Sequence, residues 1–363
     1  MRFSALRGAD WALVGGVIAL GFWGLAAGYS ASRGVSVTLP ARQAVFLAVG
    51  IGAMLCMVWL DYRQVAHAGK ALYLAALIML ASVLAFGGAS RGAARWLEAG
   101  PVAFQPSEFT KLVLVVVLAA FLSTRMEQVR NLWTFAAMFL ITALPAGLVF
   151  LQPDLGTALV LLAIWLGTAA VAGARKRHLG LTLALGALIF AGMWHTGAIR
   201  PYQKNRLVTF LNPGADPLGS GYHILQSKIA IGSGMIFGRG FLAGPQSGLR
   251  FVPAQHTDFI FAAVGEELGL VGCAALIGLY GFVIWRMLRI ARRAQEPLGA
   301  LLAGAGAWLV LFQVFMNIGM TVTLLPVTGI PLPLVSYGGS SLISTMMLMG
   351  VVLSVGARTR TAQ

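Results

Sequence analysis

Apolar runs of about 18 residues or more recur along the whole chain, separated by short polar stretches; 158-ALVLLAIWLGTAAVAG-173 with its flanks is one of them. A helix of that length crosses a hydrocarbon core of about 30 Å. The pattern predicts ten spans: residues 11–30, 43–60, 70–87, 108–123, 132–150, 155–173, 178–195, 259–285, 298–323 and 331–355. The expected fold is an all-α polytopic membrane protein, a single integral membrane unit over residues 1–363. One connection, residues 196–258 between the seventh and eighth spans, is far longer than the others, rich in glycine and basic residues and too polar to cross hydrocarbon. Pro145 is expected to kink its span, because proline removes a helix hydrogen bond. Arg2 and Arg7 ahead of an apolar run resemble a signal peptide, but no small-residue cleavage site follows, so the run is read as a retained first helix.

Composition agrees with the pattern. The chain is 58% hydrophobic and 10% charged with a mean hydropathy of +0.83, whereas soluble domains carry about 25% charged residues. The net charge of +15 is spread between spans and not gathered in a soluble domain. That distribution favours anionic headgroups or an anionic substrate over nucleic acid. With the N-terminus inside, the cytoplasmic segments hold 15 Lys and Arg residues and the outer ones 11. Both termini are therefore expected in the cytoplasm and the long loop outside. Nine of the 11 outer cations fall in two stretches, 87–111 and 196–258. Gathered so, beside carboxylates, they point to an anion site, since forked guanidinium donors match phosphate oxygens in pairs. Cys56 and Cys273 lie in apolar runs and suggest neither a disulfide nor a metal site.

Three outer helix starts carry acids: 105-QPSEFTKL-112, 152-QPDLGTAL-159 and 255-QHTDFIFA-262. Acids there can cap helices and complement the macrodipole. Asp154 has the look of an N-cap, as does Asp10 at the other face, and Glu108 can pair with Lys111 one turn on. Asp258 reads either as a cap or as a general base at the edge of the loop that supplies Arg200, Arg206, Arg239, Arg250 and His256. Glu266 and Glu267 follow two to three turns deeper, with structural and catalytic roles both open. The glycines of 232-GSGMIFGRG-240 match no nucleotide-binding loop and read as turns and close backbone approach. The histidines lack metal-ligand spacing, and no GxSxG elbow is present. The segment 325-LPVTGIPLPLVSYGGSS-341 reads as a helix break or as a re-entrant cavity wall.

Five stretches taken together, 87-GGASRGAARWLEAGPVAFQPSEFTKL-112, 152-QPDLGTA-158, 206-RLVTFLNPGADPLGSGYHILQSKIAIGSG-234, 256-HTDFIFAAVGEELGLVG-272 and 329-GIPLPLVSYGGSS-341, resemble the SEDS family (shape, elongation, division and sporulation). They resemble its rod-shape branch more than its division branch. The chain departs from the family pattern at Pro253-Ala254-Gln255, where a glutamate is usual, at Met235, where a glycine is common, and at Pro245-Gln246. The resemblance implies a peptidoglycan glycosyltransferase that polymerises lipid II on the outer face of the bacterial cytoplasmic membrane. It places the family's essential aspartate on Asp258 and other sensitive positions on Arg91, Trp96, Glu108, Lys111, Asp154 and Arg206. Arg95, Arg239, Arg250, His256 and Ser336 complete the expected substrate-binding set. The implied partners are the growing glycan strand, a class B penicillin-binding protein transpeptidase, other elongation-complex proteins and membrane lipids. No protein metal site is expected; a divalent cation, magnesium or manganese, is left open. A lipid II flippase, a division-type polymerase and a scaffold are the rival readings.

Overall fold

The computed structural model describes residues 8–32, 38–86, 95–99, 102–197, 201–212, 220–244 and 256–360. Their order is α1 (Trp11–Ala31), α2 (Thr38–Trp59), the short α3 (Tyr62–His67), α4 (Gly69–Phe86), a hairpin of β1 (Leu97–Ala99) and β2 (Val102–Phe104), α5 (Pro106–Ser123), α6 (Leu132–Leu151), α7 (Leu155–Val171), α8 (Lys176–Thr196), α9 (Pro201–Leu211), α10 (Ser220–Ser233), α11 (Ile260–Arg293), α12 (Pro297–Thr321) and α13 (Gly339–Arg360). Among the described residues, nine helices are long and apolar enough to cross a membrane, and α7, at the sixth expected span, is a shorter apolar helix. The hairpin pairs Leu97 with Phe104 and Ala99 with Val102. α5, α12 and α13 form the buried middle of the bundle, whereas α8 stands at its edge with no buried residue in its membrane window. Apolar side chains such as Trp133, Leu188 and Leu211 face outward, as a bilayer solvent permits.

Helix starts follow local chemistry. Asp10 accepts from the Leu13 amide and caps α1, and Asp154 accepts from the Thr157 amide and caps α7. Pro106 opens α5, where a missing N–H costs nothing.

Pro145 lies inside α6, and the Ile141 carbonyl that it cannot serve accepts instead from the Tyr73 hydroxyl of α4, at 2.7 Å. Two departures from the expected spans have physical reasons. The first is a break inside α11, at Gly269 (φ 65°, ψ −161°). There the turn 234–244 docks backbone to backbone. Arg239 and Gly240 amides donate to the Glu266 and Glu267 carbonyls, and Leu270 and Val271 amides donate to Met235 and Ile236 carbonyls, at 2.9–3.1 Å. Met235 takes φ 49° in this turn, the left-handed region in which glycine is at home, which explains why the resemblance expects glycine there.

The last span also differs: α13 begins at Gly339 and not near residue 331, and residues 322–338 form a non-helical strap. Pro331 and Pro333 lack amide donors, and Leu334 sits at φ 68°, so high hydropathy does not make a helix here. Non-helical backbone at this depth needs partners, and other elements supply them. Arg206 donates to the Val327 and Thr328 carbonyls, Asn317 to Ile330, Tyr280 to Pro333 and Gln43 to Val335.

Candidate active site

The strap and the residues before α11 form one wall. Ser336 donates to the Thr257 carbonyl at 2.5 Å and accepts from the Leu332 amide at 2.8 Å, so its hydroxyl fastens the wall from both sides. The Tyr337 amide donates to the His256 carbonyl at 2.9 Å, and the two rings meet edge to face at 6.0 Å. Asn317, fully buried in α12, donates through Nδ2 to the carbonyls of Asp258 (2.9 Å) and Ile330 (2.8 Å). One amide thus fixes the backbone of the aspartate against the strap. A Cβ on Gly329 would lie 3.5 Å from Asp258 Oδ2, which locates the carboxyl beside the strap.

Asp258 does not occupy the capping position of α11. The N-cap of α11 is Phe259, with no side-chain capping bond, so Asp258 stands one residue outside the cap. It is half-buried, with part of its surface still open. Burial pushes its carboxyl above the usual carboxylate range. Arg206 is the main opposing influence, a hydrogen bond from Thr257 and the charge of Arg95 act with it, and Asp154 adds to the rise.

Those influences define the cluster that the fold assembles: Arg95, Asp154, Arg206 and Asp258. Asp154 holds the start of α7, also accepting from the Thr157 hydroxyl at 2.9 Å, while Arg95 lies 3.8 Å from its Oδ1. Arg95 also donates to the Pro153 carbonyl. α7 starts directly against the strap, Gly156 facing the Thr328 carbonyl. Arg95 and Asp154 thus meet at one end of the bundle, and the charges of Arg206, Arg95 and Asp154 all reach the partly open carboxyl of Asp258.

Other expected site residues take different places. Glu108 and Lys111 are buried on α5 and pair with each other at 2.7 Å. Trp96 is half-buried just ahead of β1. Arg239 is exposed in the turn 234–244 and donates Nε to the Ser233 carbonyl at the end of α10; it is not among the groups that act on Asp258. Arg91 and Arg250 lie outside the described residues. Glu266 and Glu267 are both buried, and Glu267 accepts from the Ser30 hydroxyl at the end of α1, tying two helices together. Asn317 was absent from the expected set; its signal was a lone amide in an apolar helix, a position where polar groups find partners. Among the described residues, no three His, Cys, Asp or Glu side chains gather into a metal cage.

Comparison with known proteins places this arrangement. The profile of the family described as "Cell cycle protein" (FtsW, RodA, SpoVE) matches residues 11–361. The chain is 44% identical over 330 residues to the peptidoglycan glycosyltransferase MrdB of Escherichia coli strain K12, covering 90% of this chain and 88% of that one. It is 37% identical over 366 residues to the probable peptidoglycan glycosyltransferase FtsW of Alkalilimnicola ehrlichii, covering 97% and 90%. Its structure resembles that of a chain from a peptidoglycan synthase complex that coordinates polymerization and crosslinking, with a TM-score of 0.85, 36% identity and coverage of 97% and 98%. It also resembles the crystal structure of the rod shape determining protein RodA of Thermus thermophilus, with a TM-score of 0.71, 34% identity and coverage of 96% of each chain. With nearly its whole length matched, this multi-pass membrane protein belongs to the FtsW, RodA and SpoVE family, the SEDS proteins.

Proposed function

We propose that this peptidoglycan glycosyltransferase polymerises lipid II at the extracytoplasmic face of the bacterial cytoplasmic membrane during elongation, with Asp258 as general base. The carrying observation is the partly open carboxyl of Asp258 beside the strap, its backbone held by Asn317 and its charge acted on by Arg206 and Arg95. A carboxylate whose proton affinity is raised by burial is a stronger base than an exposed one.

In this reading Asp258 takes the proton from the 4-hydroxyl of the acceptor N-acetylglucosamine. The oxygen attacks the anomeric carbon of the donor N-acetylmuramic acid with inversion, and the bond to undecaprenyl pyrophosphate breaks. Negative charge develops on the departing pyrophosphate, and fixed guanidinium donors stabilise it there. Arg206 spends Nη1 on two strap carbonyls; a guanidinium has five N–H donors, so others remain for phosphate. Arg95 is the second donor in the cluster, and Asp154 holds it near the strap. Arg91, Arg250 and His256 belong to the same proposal as loop groups for the substrate phosphates, and Trp96, Glu108 and Lys111 as groups lining the approach. A divalent cation, magnesium or manganese, enters only as a companion of the substrate phosphates, because the described residues offer no cage for one. The partners are a class B penicillin-binding protein transpeptidase and other elongation-complex proteins. The Lys and Arg bias of the short loops supports both termini in the cytoplasm.

The test is polymerisation of labelled lipid II by the purified protein, with and without its transpeptidase. Asp258→Ala is expected to lower the rate at least about 100-fold, the usual worth of a general base. Polymer formed at the wild-type rate by Asp258→Ala would remove the base from this scheme. Absence of polymer under all conditions, with labelled lipid crossing vesicle bilayers, would establish the flippase in its place.

A further inference from the structure

The opposite end of the bundle carries a second cluster of cations that the reaction does not use. α11 continues past its lipid-facing residues into Arg286, Arg289, Arg292 and Arg293. Several arginines at this end are neutralised by carboxylates: Arg286 by Asp10 (2.5 Å), Arg63 by Glu296 (2.6 Å) and Arg358 by Asp61 (3.2 Å). Among the described residues, Arg289, Arg292 and Arg293 have no such partner. Arg289 is half-buried, Arg292 and Arg293 are exposed, and the guanidinium of Arg289 lies 5.5 Å from the centre of the Trp285 ring, as does that of Arg286.

Two further observations give this cluster the shape of a lipid site. A recess of about 30 Å³ between α1, α11 and α13 is lined by Asp10, Arg289, Ile290, Arg293, Gly356 and Thr359. That is room for a phosphate oxygen, and the Asp10 charge at its floor is already matched by a two-pronged contact from Arg286. Below the cations, Phe282, Trp285 and Leu288 are 38%, 51% and 38% exposed, a continuous apolar track one helical face wide. The order along α11, an apolar track, a tryptophan, then unpaired guanidinium groups, matches the order of an acyl chain, an ester region and a phosphate.

We propose that Arg289, Arg292 and Arg293, with Trp285, form a binding site for the phosphodiester headgroup of an anionic glycerophospholipid in the leaflet at this end of the bundle. Guanidinium groups bind phosphate oxygens in pairs, tryptophan sits at headgroup depth, and the acyl chain lies along Phe282 and Leu288. The site is separate from Asp258 and does not depend on the reaction scheme above.

Native mass spectrometry of the full chain, released from micelles doped with phosphatidylglycerol or phosphatidylethanolamine, tests this. Wild type is expected to retain phosphatidylglycerol over phosphatidylethanolamine. The triple variant Arg289→Gln, Arg292→Gln, Arg293→Gln is expected to lose that affinity about 100-fold, each basic group at a membrane surface being worth about five-fold. A matched variant, Arg175→Gln, Lys176→Gln, Arg177→Gln, removes three positive charges from the start of the peripheral α8 and is expected to retain the lipid. Equal loss in both triple variants would reduce the effect to diffuse surface charge and overturn the site. So would equal retention of the two lipids by wild type, unchanged retention in the α11 variant, or displacement of the lipid by inorganic phosphate at the same concentration, which would mark a site for free anions. Arg292 and Arg293 are exposed and Arg289 is half-buried; a thermal melt matching wild type confirms that a lost lipid reflects a lost site.

Discussion

Replacing Gly269 by alanine should unseat the turn 234–244 from α11. The perturbation is one methyl group, and the structure leaves no space for it: the new Cβ would lie 2.3 Å from the Gly238 amide nitrogen and 2.6 Å from the Ile236 carbonyl oxygen. Both obstacles are backbone, so no side chain can swing aside. The residue also holds φ 65° and ψ −161°, a conformation open almost only to glycine that costs other residues about 2 kcal/mol. If the turn moves away to relieve the clash, the four backbone bonds between it and Glu266–Val271 go with it. At about 1 kcal/mol each they add about 4 kcal/mol, before any cost of leaving those groups bare in a poorly hydrated setting. The expected result is a melting temperature lowered by several degrees in detergent. Faster hydrogen exchange should be confined to peptides covering 234–244 and 265–271. Gly278→Ala, on the same helix with open space around its Cβ, should be neutral or slightly stabilising. Unchanged melting and unchanged exchange in Gly269→Ala would show that the four bonds do not hold the turn.

Two further outcomes follow from the cluster at Asp258. Arg206 is the largest influence holding the Asp258 carboxyl down against burial, so Arg206→Gln should raise its pKa further. A base works deprotonated, so the acid limb of the polymerisation rate, measured between about pH 4 and 8, should move to higher pH; an unmoved limb assigns it to another group. A carboxyl raised in the fold favours the folded state while protonated, and that contribution is lost as pH rises through the folded-state value. Asp258→Asn should therefore melt slightly higher than wild type at neutral pH, and a lower melt would contradict the raised value. Asn317→Ala removes both donors that seat Asp258 and Ile330; it should cost about 2–3 kcal/mol of stability and lower kcat with KM nearly unchanged. A KM effect alone would show that the amide shapes binding and not the position of the base.

Span number was legible because length and hydropathy decide it, and α1, α2 and α4 to α8 lie within a few residues of the apolar runs. The catalytic candidate was legible only as an alternative: nothing local in 255-QHTDFIFA-262 distinguishes a cap from a base. That Asp258 is not the cap rests on Phe259 holding that position, and the proposed base rests also on Arg206, which is far away in sequence. Arg239 shows how little a basic loop tells about contacts: its amide donates to the Glu266 carbonyl and its Nε to Ser233, two partners its own sequence does not announce. The break at Gly269 could not be read from residues 260–293, because a glycine in an apolar run is ordinary there and the partner that makes the break tolerable is a turn some 30 residues earlier. Gln43, Tyr280 and Asn317 each look like an isolated polar residue in an apolar helix. Their shared purpose emerges only once the strap is seen to need donors.

That purpose bears on how the chain is built into a membrane. The side chains that serve the strap come from α2, α9, α11 and α12, and Gln43, Arg206, Tyr280 and Asn317 all precede it in the sequence. Synthesis runs from the N-terminus, and folding can begin along the emerging chain. When residues 322–338 leave the ribosome, every one of these donors has already been made. The strap can settle among waiting partners, and its carbonyls need not meet hydrocarbon first, with α13 entering after it to pack behind it.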